Sequence, residues 1–281
     1  MFELTPAKVT NVLIYGQATG AIGKTNISNT TGTLNVTWTV SDGGTPISAN
    51  SFLDAQVNLL AGTYRLTVRD DHDTASINYV VTQNRPLHIY PGTVTDVLVF
   101  GLNSGVIGRT SVSGGDGVYT SYWTTSTSLD MSQDHSLQAK TNLYAGDYQV
   151  KIIDGVGATA TYTYTVRQSN QLLIHGGQIR NASIGGTYGG SIAACKVTGG
   201  QPPYLSMLSS RLMTQAMAPI VLDAYDDYTV PELDDLPQDT YTLTISDSLG
   251  AVVQKQFIIR EGPSRLYHAF GASSNFANNN D

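Results

Sequence analysis

The chain has a single cysteine, Cys195, so no internal disulfide can form. Bridged multidomain β proteins belong to oxidising compartments, and a chain without bridges is read as one assembled in a reducing compartment. Charge is scarce as well: Asp, Glu, Lys and Arg make up 13% of the residues, where about a quarter is usual. The net charge is −7, and the basic residues Lys255, Arg260 and Arg265 are scattered. That excludes a general nucleic-acid binder, which needs a basic track to displace counterions. Long apolar runs are missing too; Val12–Tyr15 and Val97–Phe100 are strand-sized, so no membrane span is expected. The opening M-F-E-L-T-P-A-K-V-T lacks a basic n-region and an apolar h-region, and is not read as a secretory signal.

Chemical signatures are equally sparse. No G-x-S-x-G, P-loop or paired-carboxylate pattern occurs. The histidines His72, His88, His135, His175 and His268 neither cluster nor repeat, and no H-x-x-x-H spacing exists. Cys195 has no recognisable His partner and reads as a small buried hydrophobe inside a strand. The expectation is therefore a non-enzyme with no catalytic residue, no cofactor and no metal. The acidic stretch Asp223, Asp226, Asp227, Glu232, Asp234, Asp235 is the nearest approach to a calcium loop. Tyr225, Tyr228 and Pro231 interrupt its spacing and no Gly bends it, so it reads as a solvated or partner-facing loop. Sequons at Asn26, Asn29, Asn35 and Asn181 are ascribed to chance in an Asn- and Thr-rich chain.

What is present is a repeat. Trp38 and Trp123 are 85 residues apart, as are Gly16, Gly101 and Gly186, and Gly20, Gly105 and Gly190. Ile22, Ile107 and Ile192 keep the same step, as do Leu4, Ile89 and Ile174. The segment N-L-L-A-G-T-Y-R-L-T-V-R-D (Asn58–Asp70) recurs as Asn142–Asp154, 84 residues on, and again as Asp235–Asp247, a further 93 on. The third copy thus carries an insertion of about nine residues in its middle, and a fixed period this long marks one domain used three times.

Each copy reads as short strands. The second shows Leu87–Tyr90, Val94–Gly101, Val106–Ser113, a strand holding Tyr119 and Trp123, and a closing hairpin of Tyr148–Asp154 and Thr159–Arg167. The hairpin turns D-D-H-D, D-G-V-G and D-S-L-G each begin with an Asp able to cap the turn. Six or seven such strands with frequent turns indicate a β-sandwich. Trp38, Trp123 and Leu208, at equivalent positions, are read as plugs between two sheets. Tyr64, Tyr148 and Tyr241 in L-x-A-G-x-Y and its variant are read as tyrosine corners, whose phenol bonds back to the backbone; ordinary strand tyrosines are the alternative.

The pattern G-G-x-x-P-Y-x-x-x-W/L followed by L-x-A-G-x-Y-x-V-x-V-x-D-x-x-G resembles the SprB repeat, a PKD-like immunoglobulin-type module, over nearly the whole chain before residue 263. Such modules occur in virion proteins of large icosahedral DNA viruses and in surface adhesins of gliding bacteria. Family members often carry cysteines in the early strand and the D-x-x-G-C turn, and only Cys195 lies near such a place here.

The expected architecture is all-β: three tandem immunoglobulin-like β-sandwiches with an extended C-terminal tail. The domains are read as residues 1–85, 86–170, 171–263 with the loop insertion, and an arm at 264–281. Tyr267, Phe270 and Phe276 in that arm are the partner-binding candidates, because a small, polar segment with spaced aromatics has too little apolar surface to fold alone. The resemblance implies a minor capsid or cement component of a large icosahedral virion, assembled in the host cytoplasm. Its partners would be the major capsid protein and neighbouring minor capsid proteins. The alternative is a cell-surface adhesin or carbohydrate-binding module.

Overall fold

A computed structural model describes residues 2–48, 53–213, 217–224 and 227–262. Among these residues every regular element is a β-strand. The chain divides into two compact units, Met1–Val97 with Asn103–Arg167, and Leu98–Leu102 with the chain from Gln168 on. The first unit holds two separate apolar cores, one centred on Tyr64, Leu66 and Val68, the other on Tyr148, Val150 and Ile152. The second unit holds one, centred on Tyr241, Leu243 and Ile245.

Each core lies inside the same two-layer sandwich. In the second repeat one layer is Tyr119–Thr125, Gly146–Asp154 and Thr159–Val166, all antiparallel. The facing layer appears as two short ladders because its first two strands are broken. Arg85–Tyr90 pairs with Ser111–Gly115, while Val94–Thr95, Gly105–Ile107 and Lys140–Leu143 pair side by side. The first repeat has the same pairings, and the third repeats them with additions. Side chains in Gly146–Asp154 alternate between core and surface, as a sheet with one solvated face requires.

Three strand boundaries differ from the sequence reading. Val94–Gly101 is a strand only at Val94–Thr95; Val97 joins the closing strand through its amide, bonded to Arg167 O at 2.8 Å, and the chain then turns with Leu102 N on Val99 O at 3.2 Å. The run Val12–Tyr15 behaves likewise, so Leu13, Tyr15, Leu98 and Phe100 are exposed turn residues. Val106–Ser113 is broken after Ile107, where Gly92 crosses so close that a Cβ on it would overlap the Gly108 carbonyl.

The insertion in the third repeat is not a free loop. It supplies Ile220–Leu222, which pairs antiparallel with Tyr204–Ser210 and widens that sheet to four strands. It also supplies Thr229–Val230, paired with Cys195–Thr198. Asp234 and Asp235 lie in Leu233–Leu236, against Gly190–Ile192.

The repeated glycines have a steric cause. A Cβ on Gly105 would stand 2.7 Å from Val166 Cγ1 and 2.9 Å from Leu143 O. On Gly20 it would meet Val81 Cγ1 at 2.6 Å, and on Gly190 Leu236 O at 2.6 Å. The strand facing this glycine bulges: Gly105 and Ile107 oppose Leu143 and Lys140, three residues against two. The extra residue takes the left-handed region, Asn142 at φ 57°, as do Asn58 at 58° and Asp235 at 57°. Asn and Asp tolerate that region best after Gly, which accounts for the residue that opens each N-L or D-L motif.

Candidate functional site

Trp123 is buried and stacks on Tyr164 at 5.8 Å between ring centroids, and its Nε1 donates to Ser136 O at 2.9 Å. Trp38 is buried against Tyr79 at 5.9 Å. Leu208 is buried at the equivalent strand position, Met207–Leu208 facing Thr244–Leu243. The smaller side chain leaves an apolar slot that is lined by Met217, Ala218 and Ile220 of the insertion.

The Tyr64, Tyr148 and Tyr241 rings are fully buried. Their hydroxyls donate to the carbonyls four residues upstream: Leu60 at 2.7 Å, Tyr144 at 2.8 Å and Pro237 at 2.9 Å. Tyr64 Oη also accepts from Thr45 N at 2.9 Å. Burial pushes the Tyr241 phenol up, and Asp239 nearby adds to the shift.

Each hairpin aspartate does more than cap its turn. Asp154 Oδ1 accepts from Val156 N and Ala158 N, while Oδ2 accepts from Asp116 N in the loop before the Trp123 strand. Asp247 does the same with Leu249 N, Ala251 N and Gln201 N. Asp70 accepts from His72 N, Asp73 N and Thr31 N, and the His72 and Asp73 amides hold its carboxyl down to about 2. One carboxylate thus ties two loops at the same end of each sandwich, and hydrogen bonds to a charged acceptor are the stronger kind.

A second set of ties recurs at the 85-residue step and was not singled out from sequence. Asn11, Asp96 and Asn181 accept from the amides of Thr82, Arg167 and Arg260. Gln83, Gln168 and Glu261 accept from the amides of Gly16, Gly101 and Gly185. Thr25 and Thr110 share hydrogen bonds of 2.7 Å with Tyr79 and Tyr164. In the third repeat both members of that pair change together, to Cys195 and Phe257, so no hydroxyl is orphaned. Cys195 is buried, and burial pushes its thiol up.

Lys140 is also buried, its ammonium 2.7 Å from both Asp134 Oδ1 and Ser136 O and 5.1 Å from the centre of the Trp123 ring. Nothing in sequence marks it, since lysines are almost never buried unless paired.

The remaining candidates are not brought together. His72 lies near Thr31 Oγ1, His88 packs on Tyr90, His135 on Tyr122, and His175 bonds Thr198 Oγ1, each separately. Among the described residues no three His, Cys, Asp or Glu side chains converge on a metal-sized site. In the acidic stretch Asp227 pairs with Lys196 at 2.7 Å, Asp234 with Arg180 at 3.4 Å, and Asp235 accepts from Gly189 N. Asp226, His268, Tyr267, Phe270 and Phe276 lie outside the described residues.

No family model matches the chain, and no curated protein does. Among solved structures, a titin I67–I69 variant is 10% identical, covering 94% of this chain and 98% of its own, at a TM-score of 0.38. A Dpr2–DIP-Theta immunoglobulin-domain complex is 13% identical, with coverages of 93% and 99% and a TM-score of 0.36. Domains 3–5 of Drosophila OTK are 12% identical, with coverages of 93% and 97% and a TM-score of 0.29. The immunoglobulin-like assignment rests on the strand pairing and the three cores described above, not on these likenesses.

Proposed function

We propose that this chain is a non-enzymatic structural protein, a minor capsid or cement component of a large icosahedral DNA virus that bridges capsid subunits. The observation that carries the structural reading is how its polar groups are used. Asp70, Asp154 and Asp247, Tyr64, Tyr148 and Tyr241, and Lys140 all hold the chain's own backbone. Side chains engaged in this way stiffen a scaffold, whereas a catalytic group must be left facing a substrate. The SprB-like pattern and the lack of disulfides favour the virion over the cell surface. The domain division at residues 85, 170 and 263 belongs to the same reading, with one sandwich per repeat and the arm at 264–281 reaching a neighbouring capsid protein.

The test is composition of purified particles. The chain should co-purify with shells in fixed, repeated stoichiometry, and should bind no glycan on an array. Saturable binding to a defined glycan, with no association with shells, would replace this reading with the adhesin alternative.

A further inference from the structure

The three repeats serve as controls for one another at every surface position. The outward positions of the sheet containing Trp38 include Arg65 and Arg69, and those of the Trp123 sheet include Asp147 and Lys151. The corresponding sheet of the third repeat carries no charge at any outward position of its four strands. Where the first repeat has Asn35 and Thr37 and the second has Thr120 and Tyr122, the third has Leu205 and Met207. Val221, on the strand that only this repeat possesses, sits directly beside Leu205, and Val252 completes that cross-strand row through Ser246. Leu205 is 47% exposed, Val221 55% and Val252 60%. Thr, Ser and Gln fill the rest of the face, all able to donate and accept.

We propose that this outer face, built on Tyr204–Ser210, Ile220–Leu222, Asp239–Ser246 and Val252–Ile259, packs against the same face of a second copy of the chain. Charge argues for a copy rather than a different partner. The chain carries a net charge of −7, so most of its surface repels itself, and this face is where two copies meet without opposing like charges. An uncharged face also has no charge pattern with which to select another protein. Size points the same way. With strands about 4.8 Å apart and about 3.3 Å per residue, three strands give a flat face of roughly 350 Å² and four give roughly 480 Å². Two copies then bury about 950 Å² instead of about 700 Å², which moves the contact from the range of adventitious packing to the threshold of a specific interface near 1,000 Å². The insertion therefore supplies the strand that makes the face large enough. The contact should be weak, with a Kd on the order of tens of micromolar. This inference does not rest on the capsid reading.

The test is sedimentation velocity of the full chain from about 1 to about 200 μM, a span that brackets such a Kd. The sedimentation coefficient should rise with concentration. Met207→Glu and Val252→Glu should each weaken association at least tenfold, while Thr120→Glu on the second repeat leaves it unchanged. Mixing Met207→Glu with Met207→Lys should restore association. Should a Glu variant fail to fold, the pair Leu205→Asn with Met207→Thr installs the residues that the first repeat already tolerates, and should give the same loss. A chain that stays monomeric throughout overturns the proposal. So does association that the face variants do not weaken, or that Thr120→Glu weakens equally.

Discussion

Replacing the corner tyrosines by phenylalanine should cost different amounts in the first and second repeats. Tyr148 Oη makes one bond, to Tyr144 O, so Tyr148→Phe removes one hydrogen bond and should cost about 1 kcal/mol. Tyr64 Oη makes two, donating to Leu60 O and accepting from Thr45 N. Tyr64→Phe therefore strands an acceptor and a donor at a part-buried site, and should cost about 2–4 kcal/mol. The ring stays in both variants, so apolar burial is constant and the comparison isolates the hydroxyl. Because the chain has three cores, a single global melt would blur the effect. Denaturant-dependent hydrogen exchange read on Gly62–Arg69 and on Gly146–Asp154 separates the repeats. Equal losses, or a greater loss for Tyr148→Phe, would refute the assignment of the second bond.

Other outcomes follow from the same geometry. Trp123→Ala should destabilise the second repeat by about 3–5 kcal/mol, as large core truncations do, with little change in exchange from the third. Gly105→Ala should cost about 1–3 kcal/mol in the same assay, because its Cβ has no room between Val166 and Leu143 O. The Asp70 carboxyl is held below its ordinary value of 3.8, at about 2, so its stabilisation is complete above about pH 4 and is lost as pH falls through that interval. Asp70→Asn should flatten that part of the acid unfolding curve of the first repeat. Cys195 should resist thiol reagents at neutral pH until the third repeat opens, and its labelling rate should then follow denaturant.

The fold was legible because duplication multiplies weak signals. A single Gly20 or Asn58 means little; the same residues at Gly105 and Gly190, or Asn142 and Asp235, show positions where backbone geometry restricts the residue. The aspartate turns were legible locally, but their second bonds, to Thr31, Asp116 and Gln201, join segments about 40 residues apart and leave no local trace. The exchange of Thr and Tyr for Cys195 and Phe257 was hidden because the insertion shifts one member of the pair out of register. Ile220–Leu222 is three residues long, too short for an alternating pattern to declare itself. The uncharged face of the third repeat is visible only once strand register sets which side chains point outward.

The account depends most on one scaffold being used three times, with its central strand locked by a buried tyrosine and a bridging aspartate in each copy. Native-state hydrogen exchange of the intact chain tests this directly. The three central strands Gly62–Arg69, Gly146–Asp154 and Asp239–Ser246 should be the slowest-exchanging segments of their repeats, separated by fast-exchanging turns at Leu13–Gly16, Leu98–Gly101 and Ile184–Gly186. If any one of the three central strands exchanges as fast as those turns, the threefold scaffold is wrong.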